Sequence, residues 1–239
     1  MLNLLFAEAA LETVPKPIWN HPSVVMRAKV LGKEPGETLL DRSYHHRAMI
    51  RLKNNEKRGR PDILHFALLE ALGTPLNREG MMQVYVHTID NHIIYVNPKV
   101  RLPRNYDRFV GLIEQLYKEG EVPVQGQPLL RLRKGSLEDT MSKIKPSFVV
   151  AFTSKGEAKI PEDAIRPFLG QLNPAAIIGA FQHGHFSDKT TQLADATVSI
   201  DPEMLDAWTV TSRVLYEFER LIRLPEKRWN RKFSRRPRK

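Results

Sequence analysis

The sequence contains no cysteine. That absence excludes a disulfide-stapled scaffold, thiolate zinc sites and a cysteine nucleophile, and it suits a reducing compartment. No stretch approaches the run of about 18 apolar residues that spans a membrane. Met1 to Leu5 lacks the basic start of a signal peptide, and Glu8 and Glu12 interrupt the apolar segment, so no targeting peptide is read there. Also missing are a phosphate-binding Walker loop, a GxGxxG fingerprint, a Ser/His/Asp set with elbow spacing and a paired-carboxylate pattern. Acidic residues are in deficit: 27 Asp and Glu face 37 Lys and Arg, a formal charge of +10. Such an excess points to nucleic acid, because phosphates neutralised by Lys and Arg release counterions, although a cationic surface also serves solubility. What remains is globular composition: 239 residues, 41% hydrophobic and 8% aromatic. That suffices for one domain of about 200 residues plus an extension.

Leu2 to Phe6 reads as a buried strand, followed by a helical stretch from Glu8 to Thr13 that stops at Val14-Pro15. Lys53 to Arg60 reads as a charged, flexible loop. Pro61 then supplies the fixed φ of a first helical position and Asp62 a negative charge at the positive helix end; the helix runs to Leu72, before Gly73 and Pro75. Met82 to Val86 alternates as a half-buried strand, Asp90-Asn91 marks a turn, and Ile93 to Val96 returns as the second strand of a hairpin. Phe109, Leu112, Ile113 and Leu116 recur at helical spacing between Tyr106 and Tyr117. Residues 120–145, rich in Gly, Pro and basic residues, read as an exposed connection. The second half has parallel-sheet grammar: strand Phe148 to Phe152, helix Pro161 to Leu172, strand Ala175 to Ile178, strand Thr197 to Ile200. A last long helix runs from about Glu203 to Leu224, with Leu205, Trp208, Leu215, Phe218 and Ile222 along one side. Beyond it, residues 225–239 form a basic tail too poor in apolar residues to build a core, predicted to be disordered without RNA and to add affinity for any polyanion.

Three stretches could carry chemistry. Arg101, Arg104 and Arg108 fall in one arc around a helix start, with Asn105 and Tyr106 between them, which suits phosphate forks and base stacking. The same arc also fits a solvated helix N-terminus, but arginine at the positive helix end calls for an anion. Arg60, next to Asp62, can be pinned by a salt bridge so that its remaining donors face a phosphate or base; alternatively Asp62 only complements the helix dipole. Gly179 and Gly184 follow an apolar strand, where α/β sheets bind ligands and where glycine lets a cofactor approach the backbone. His183 and His185 have no further ligand nearby, so no metal site is read.

Residues 58–80 (RGRPDILHFALLEALGTPLNREG), 83–88 (QVYVHT), 96–116 (VNPKVRLPRNYDRFVGLIEQL), 177–186 (IIGAFQHGHF) and 198–210 (VSIDPEMLDAWTV) together resemble the ribosome-biogenesis pseudouridine N1-methyltransferases of the SPOUT (α/β-knot) class. The opening FAEAALETVP and the stretch LLDRSYHHRAM fit the archaeal branch. The resemblance spans most of residues 1–224, read as a single domain with its hairpin and Arg-rich RNA-binding region at about 60–117. It implies an α/β fold, a SPOUT-type parallel sheet flanked by helices with a C-terminal deep trefoil knot. It implies S-adenosyl-L-methionine as cofactor, held by Gly179 to Gly184 and by Ile200, Asp201, Pro202, Glu203, Met204, Leu205, Asp206 and Ala207, with Phe152 and Thr153 completing the pocket. Arg60, Arg101, Arg104 and Arg108 match RNA-contacting positions, with Asp62 holding Arg60. The implied partners are small-subunit rRNA carrying a pseudouridine, a second copy of the chain and ribosomal proteins, in the cytoplasm and with no membrane. Two other functions fit the same residues: a non-catalytic rRNA-binding assembly factor, and a knotted enzyme acting on transfer RNA.

Overall fold

Strand β1, Leu2–Ala9, is buried along its whole length. Side chains of a strand alternate between faces, so burial on both sides requires apolar residues almost throughout, and LNLLFAEA meets that requirement except at Asn3 and Glu8. The structure, a computed structural model, describes residues 1–234. After β1 the chain forms α1 (Pro22–Leu31) and α2 (Arg42–Met49), then α3 (Pro61–Gly73) and the short α4 (Pro75–Arg78). Strands β2 (Met82–Thr88) and β3 (His92–Val96) make the expected hairpin, turning at Asn91 with φ 59°. Helix α5 (Tyr106–Glu119) begins where the Asn105 side chain accepts from the Arg108 amide and ends at Gly120 in the left-handed conformation. Then follow β4 (Glu121–Val122), β5 (Leu130–Lys134), α6 (Leu137–Ile144), β6 (Phe148–Ala158), α7 (Pro161–Ile165), β7 (Pro174–Gly179), α8 (Asp188–Thr191), β8 (Ala196–Ser199), α9 (Ala207–Leu221) and α10 (Leu224–Ser234).

One eight-stranded sheet joins both halves of the chain in the order β4-β5-β3-β2-β1-β7-β6-β8. Strands β2, β1, β7, β6 and β8 are parallel, while β3, β5 and β4 extend the sheet antiparallel. Leu4 and Phe6 pack on one face with α3, α5 and α9; Leu5 and Ala7 pack on the other with Leu137 and Met141 of α6. The carboxyl ends of β1, β7, β6 and β8 therefore open at one edge, between two helical layers. At that edge Val198 of β8 pairs with both Phe152 and Glu157 of β6, so residues 153–156 arch across β8. A Cβ at Gly156 would lie 2.3 Å from the Val198 nitrogen, which restricts this position to glycine.

Several elements differ from the sequence reading. Glu8 to Thr13 is not helical: β1 runs to Ala9, Glu8 has φ 51°, and Thr13 bridges Leu39. The buried Glu8 and Glu12 have ion-pair partners far along the chain, and these contacts override local helix preference. Lys53 to Arg60 is no free loop, because Lys57 and Arg58 are those partners. Residues 120–145 are not a mere connection: Leu130 and Leu132, alternating with Arg131 and Arg133, add a strand, and Ser136 caps α6. The helix from Pro161 stops at Ile165 and tightens into a 3₁₀ turn, since Pro167 has no N–H to continue it. The long helix starts at Ala207 rather than Glu203, leaving 203–206 as loop. The tail through Ser234 is helical, with Arg228 and Arg231 both paired to Glu79, so its charges have a fixed partner that local composition does not reveal. The expectation for residues 235–239 lies outside the described residues.

Candidate active site

A cavity of about 330 Å³ opens at the carboxyl ends of the parallel strands. That is the size class of small-molecule sites, in the position where open parallel sheets bind ligands. Its wall contains Phe152 and Thr153 from β6, Gly179 at the end of β7, Gly184 in the loop beyond, and Ile200, Asp201, Glu203, Met204, Leu205, Asp206 and Ala207 between β8 and α9. Pro202, expected in this set, is not in the wall. Most of these positions lie on loops, whose backbone groups are not committed to a ladder. The Asp201 carboxylate shapes the second loop by accepting from the Glu203 amide at 3.1 Å and from Arg213 at 2.8 Å. The Glu203 amide bond and then the Arg213 pair hold the Asp201 carboxyl below its usual range.

Arg60 also stands in the wall, just before α3. Its Nε donates to Asp62 Oδ1 at 2.8 Å and one terminal nitrogen to Asp62 Oδ2 at 2.7 Å. This bidentate fork fixes the guanidinium plane and leaves the other terminal nitrogen for a ligand. Behind it, the Tyr106 hydroxyl donates to Asp41 Oδ2 at 2.6 Å, and burial together with that carboxylate raises the phenol far above its ordinary range. Tyr106 thus ties the start of α5 to the segment before α2. Arg101, Arg104 and Arg108, clustered around that helix start, are exposed and make no ion pair among the described residues. They lie outside the cavity wall. The arginine set is therefore divided: Arg60 faces the cavity and the other three face outward.

Sequence reasoning missed the residues that hold the first cavity loop. The buried Glu8 carboxylate accepts from Lys57 Nζ at 2.6 Å and from the Ser187 amide, the Ser187 hydroxyl and the Thr190 hydroxyl, each at 2.8 Å. Burial alone would raise its pKa, but these bonds outweigh that effect and lower it. A carboxylate at the carboxyl end of a central parallel strand was the one available signal. Gln182 lies within the expected Gly179–Gly184 loop, though it was not singled out there: its Oε1 is buried in the cavity wall with no hydrogen-bond partner. His183 and His185 line the cavity, but no group of three potential metal ligands occurs among the described residues.

The sequence model described as EMG1/NEP1 methyltransferase matches residues 4–219. The chain belongs to that family. It is 44% identical over 224 residues to the ribosomal RNA small subunit methyltransferase Nep1 of Staphylothermus marinus, covering 93% of this chain and 97% of that one. A Thermococcus kodakarensis protein of the same description is 43% identical over 224 residues, with 94% and 100% coverage. The crystal structure of Archaeoglobus fulgidus Nep1 bound to S-adenosylhomocysteine superposes with a TM-score of 0.81 at 41% identity, covering 91% of this chain and 96% of that one. As a member of this methyltransferase family, the chain has its cavity at the strand ends, where a cofactor of that class fits. Gln182 Oε1 is a buried acceptor still lacking a donor, and the loop backbones supply further polar groups of the kind an adenosine ligand needs.

Proposed function

We propose that this protein methylates small-subunit ribosomal RNA with S-adenosylmethionine, at N1 of a pseudouridine, as a homodimer acting in the cytoplasm during assembly of the small ribosomal subunit. The observation that carries this reading is the cavity that places Arg60, pinned by Asp62, beside the loops of residues 179–186 and 200–207. The S-adenosylhomocysteine bound by the Archaeoglobus relative supports the choice of cofactor, and the description of the curated relatives supports the RNA. The arch of β6 over β8 supports a knotted path for the last third of the chain.

When bound, S-adenosylmethionine supplies a methyl group on a sulfonium, which keeps the bonding electron pair as the methyl departs. Phe152, Thr153 and the two loops fix its position, so alignment with the nucleophile comes from proximity. Pseudouridine differs from uridine in carrying a free N1–H. Loss of that proton to solvent would spread negative charge from N1 onto the ring oxygens, where the uncommitted nitrogen of Arg60 would donate to one of them, and the charge is neutralised as N1 bonds to the methyl carbon. Asp62 already accepts from Arg60 through both oxygens, so its role is to orient the guanidinium. Outside the cavity, Arg101, Arg104 and Arg108 bind the phosphates of the flanking RNA.

The test compares methyl transfer from labelled S-adenosylmethionine to a pseudouridine stem-loop, to its uridine twin and to bulk transfer RNA. Transfer to the pseudouridine stem-loop alone is expected. Equal labelling of the uridine twin overturns the N1 assignment, labelling of transfer RNA changes the substrate, and RNA binding without any transfer indicates an assembly factor.

A further inference from the structure

The loop from Phe181 to Phe186 walls the cavity, yet it makes no backbone-to-backbone hydrogen bond among the described residues. Side chains hold it instead. Lys57 reaches in from the segment that ends at Arg60. Its ammonium donates to the His185 carbonyl and to Glu8 Oε2, and lies 4.4 Å from the centre of the Phe181 ring. Its aliphatic stem passes under Gly184, where an added Cβ would come 3.2 Å from Lys57 Cε. Gly184 has φ +93°, a conformation that L side chains rarely adopt, so the turn above the lysine also depends on glycine. One cation therefore touches Phe181, Gly184 and His185. The carboxylate it pairs with grips the start of α8, directly after that loop, through Ser187 and Thr190.

We propose that Lys57 is a positioning residue that holds the 181–186 loop in its cofactor-binding shape. The inference rests on the cofactor assignment made above. The physical argument is conformational entropy: a loop without a ladder must be ordered each time a ligand binds, unless something orders it beforehand. Lys57 is well suited to do so because it is itself ordered, with a side chain only 11% exposed against a Glu8 side chain 7% exposed. It does not touch reacting atoms. Its contribution lies in the fraction of molecules whose loop is already competent, and that fraction scales the apparent affinity directly.

The experiment measures S-adenosylhomocysteine affinity by calorimetry, RNA affinity without cofactor, and melting temperature, for wild type, Lys57→Met, Lys57→Arg and the double variant Glu8→Gln/Lys57→Met. Lys57→Met strands a buried carboxylate, so its melting temperature falls; the double variant removes that charge and recovers it. Cofactor affinity is expected to drop about tenfold or more in both, because neither retains a donor for the His185 carbonyl. Lys57→Arg, which keeps a cation and donors, should regain part of the loss. RNA affinity should stay within about twofold of wild type, since Lys57 points inward rather than toward phosphates. If the double variant recovers cofactor affinity together with stability, the pair is only structural and the proposal fails. It also fails if Lys57→Met binds S-adenosylhomocysteine as wild type does, or if RNA affinity falls as steeply as cofactor affinity. Failure of the wild type itself to bind S-adenosylhomocysteine would instead remove the cofactor assignment, so the two failures are distinguishable.

Discussion

Two groups of cations in this protein look alike in sequence and behave differently in space. Lys57 and Arg58 sit in a charged stretch and reach buried carboxylates: Arg58 grips Glu12 through two hydrogen bonds of 2.6 and 2.5 Å, and Lys57 grips Glu8. Arg101, Arg104 and Arg108 sit in an equally charged stretch and have no carboxylate partner among the described residues. The first pair welds the segment before α3 onto the end of β1, which sets where Arg60 points. The second group keeps its full charge for a ligand. A cation already paired in the core has its potential spent locally, whereas unpaired guanidiniums around one helix start sum into a field that attracts polyanions. Arg228 and Arg231 fall between these extremes, paired with Glu79 but at the surface.

The sharpest way to break this comparison is Arg58→Met. It leaves Glu12, whose side chain is 2% exposed, without its guanidinium, and a loss of about 3–5 kcal/mol is expected in urea denaturation. Burial already raises the pKa of Glu12 against the opposing pull of Arg58, and losing Arg58 raises it further. A carboxyl whose folded pKa is raised adds stability at low pH and loses it as pH rises, so the gap between variant and wild type should narrow as pH is lowered from about 7 toward 5. A gap that widens on acidification would contradict the assignment.

Arg104→Ala should move a different quantity. Its stability should change by less than about 0.5 kcal/mol, as for most exposed positions. RNA binding should weaken, and the slope of log affinity against log salt should fall by about one, with S-adenosylhomocysteine affinity unaltered. Parallel loss of cofactor affinity would place Arg104 at the cavity and erase the distinction between the two groups of cations. The smallest effect is expected from truncation after Leu224. Removing α10 takes away two surface pairs and a set of charges that reads no bases, so the melting temperature and cofactor affinity should hardly move. Affinity for specific and random RNA should fall by similar factors. Dissociation of an oligomer or loss of cofactor binding on truncation would show instead that α10 is structural.

Some of this was legible in the residues. The β2–β3 hairpin, α3 behind Pro61, the apolar spacing of α5 and the short apolar strands of the second half all follow local rules: period, caps and turn residues. The loop after β7 was flagged by its glycines at the end of an apolar strand, whereas the loop after β8 was named only through the resemblance to a methyltransferase family. Three of the errors have a common cause. Glu8–Thr13, Lys53–Arg60 and the tail were misjudged wherever a charge found its partner far along the chain, with Lys57 and Glu8 49 residues apart and Arg231 and Glu79 152 apart.

The sequence by itself determined the basic character, the cysteine-free chemistry and the alternation of strands and helices, since each depends on composition or on residues within a turn of one another. Only the tertiary structure decided that one sheet unites both halves, that Arg60 faces the cavity while its three fellows face outward, that the Arg60–Asp62 fork forms, and that Lys57 reaches both Glu8 and the His185 carbonyl. Apart from the fork, those outcomes depend on which distant segments meet. Charge pairing between them is strong only once burial has removed the water, and burial is a property of the whole fold.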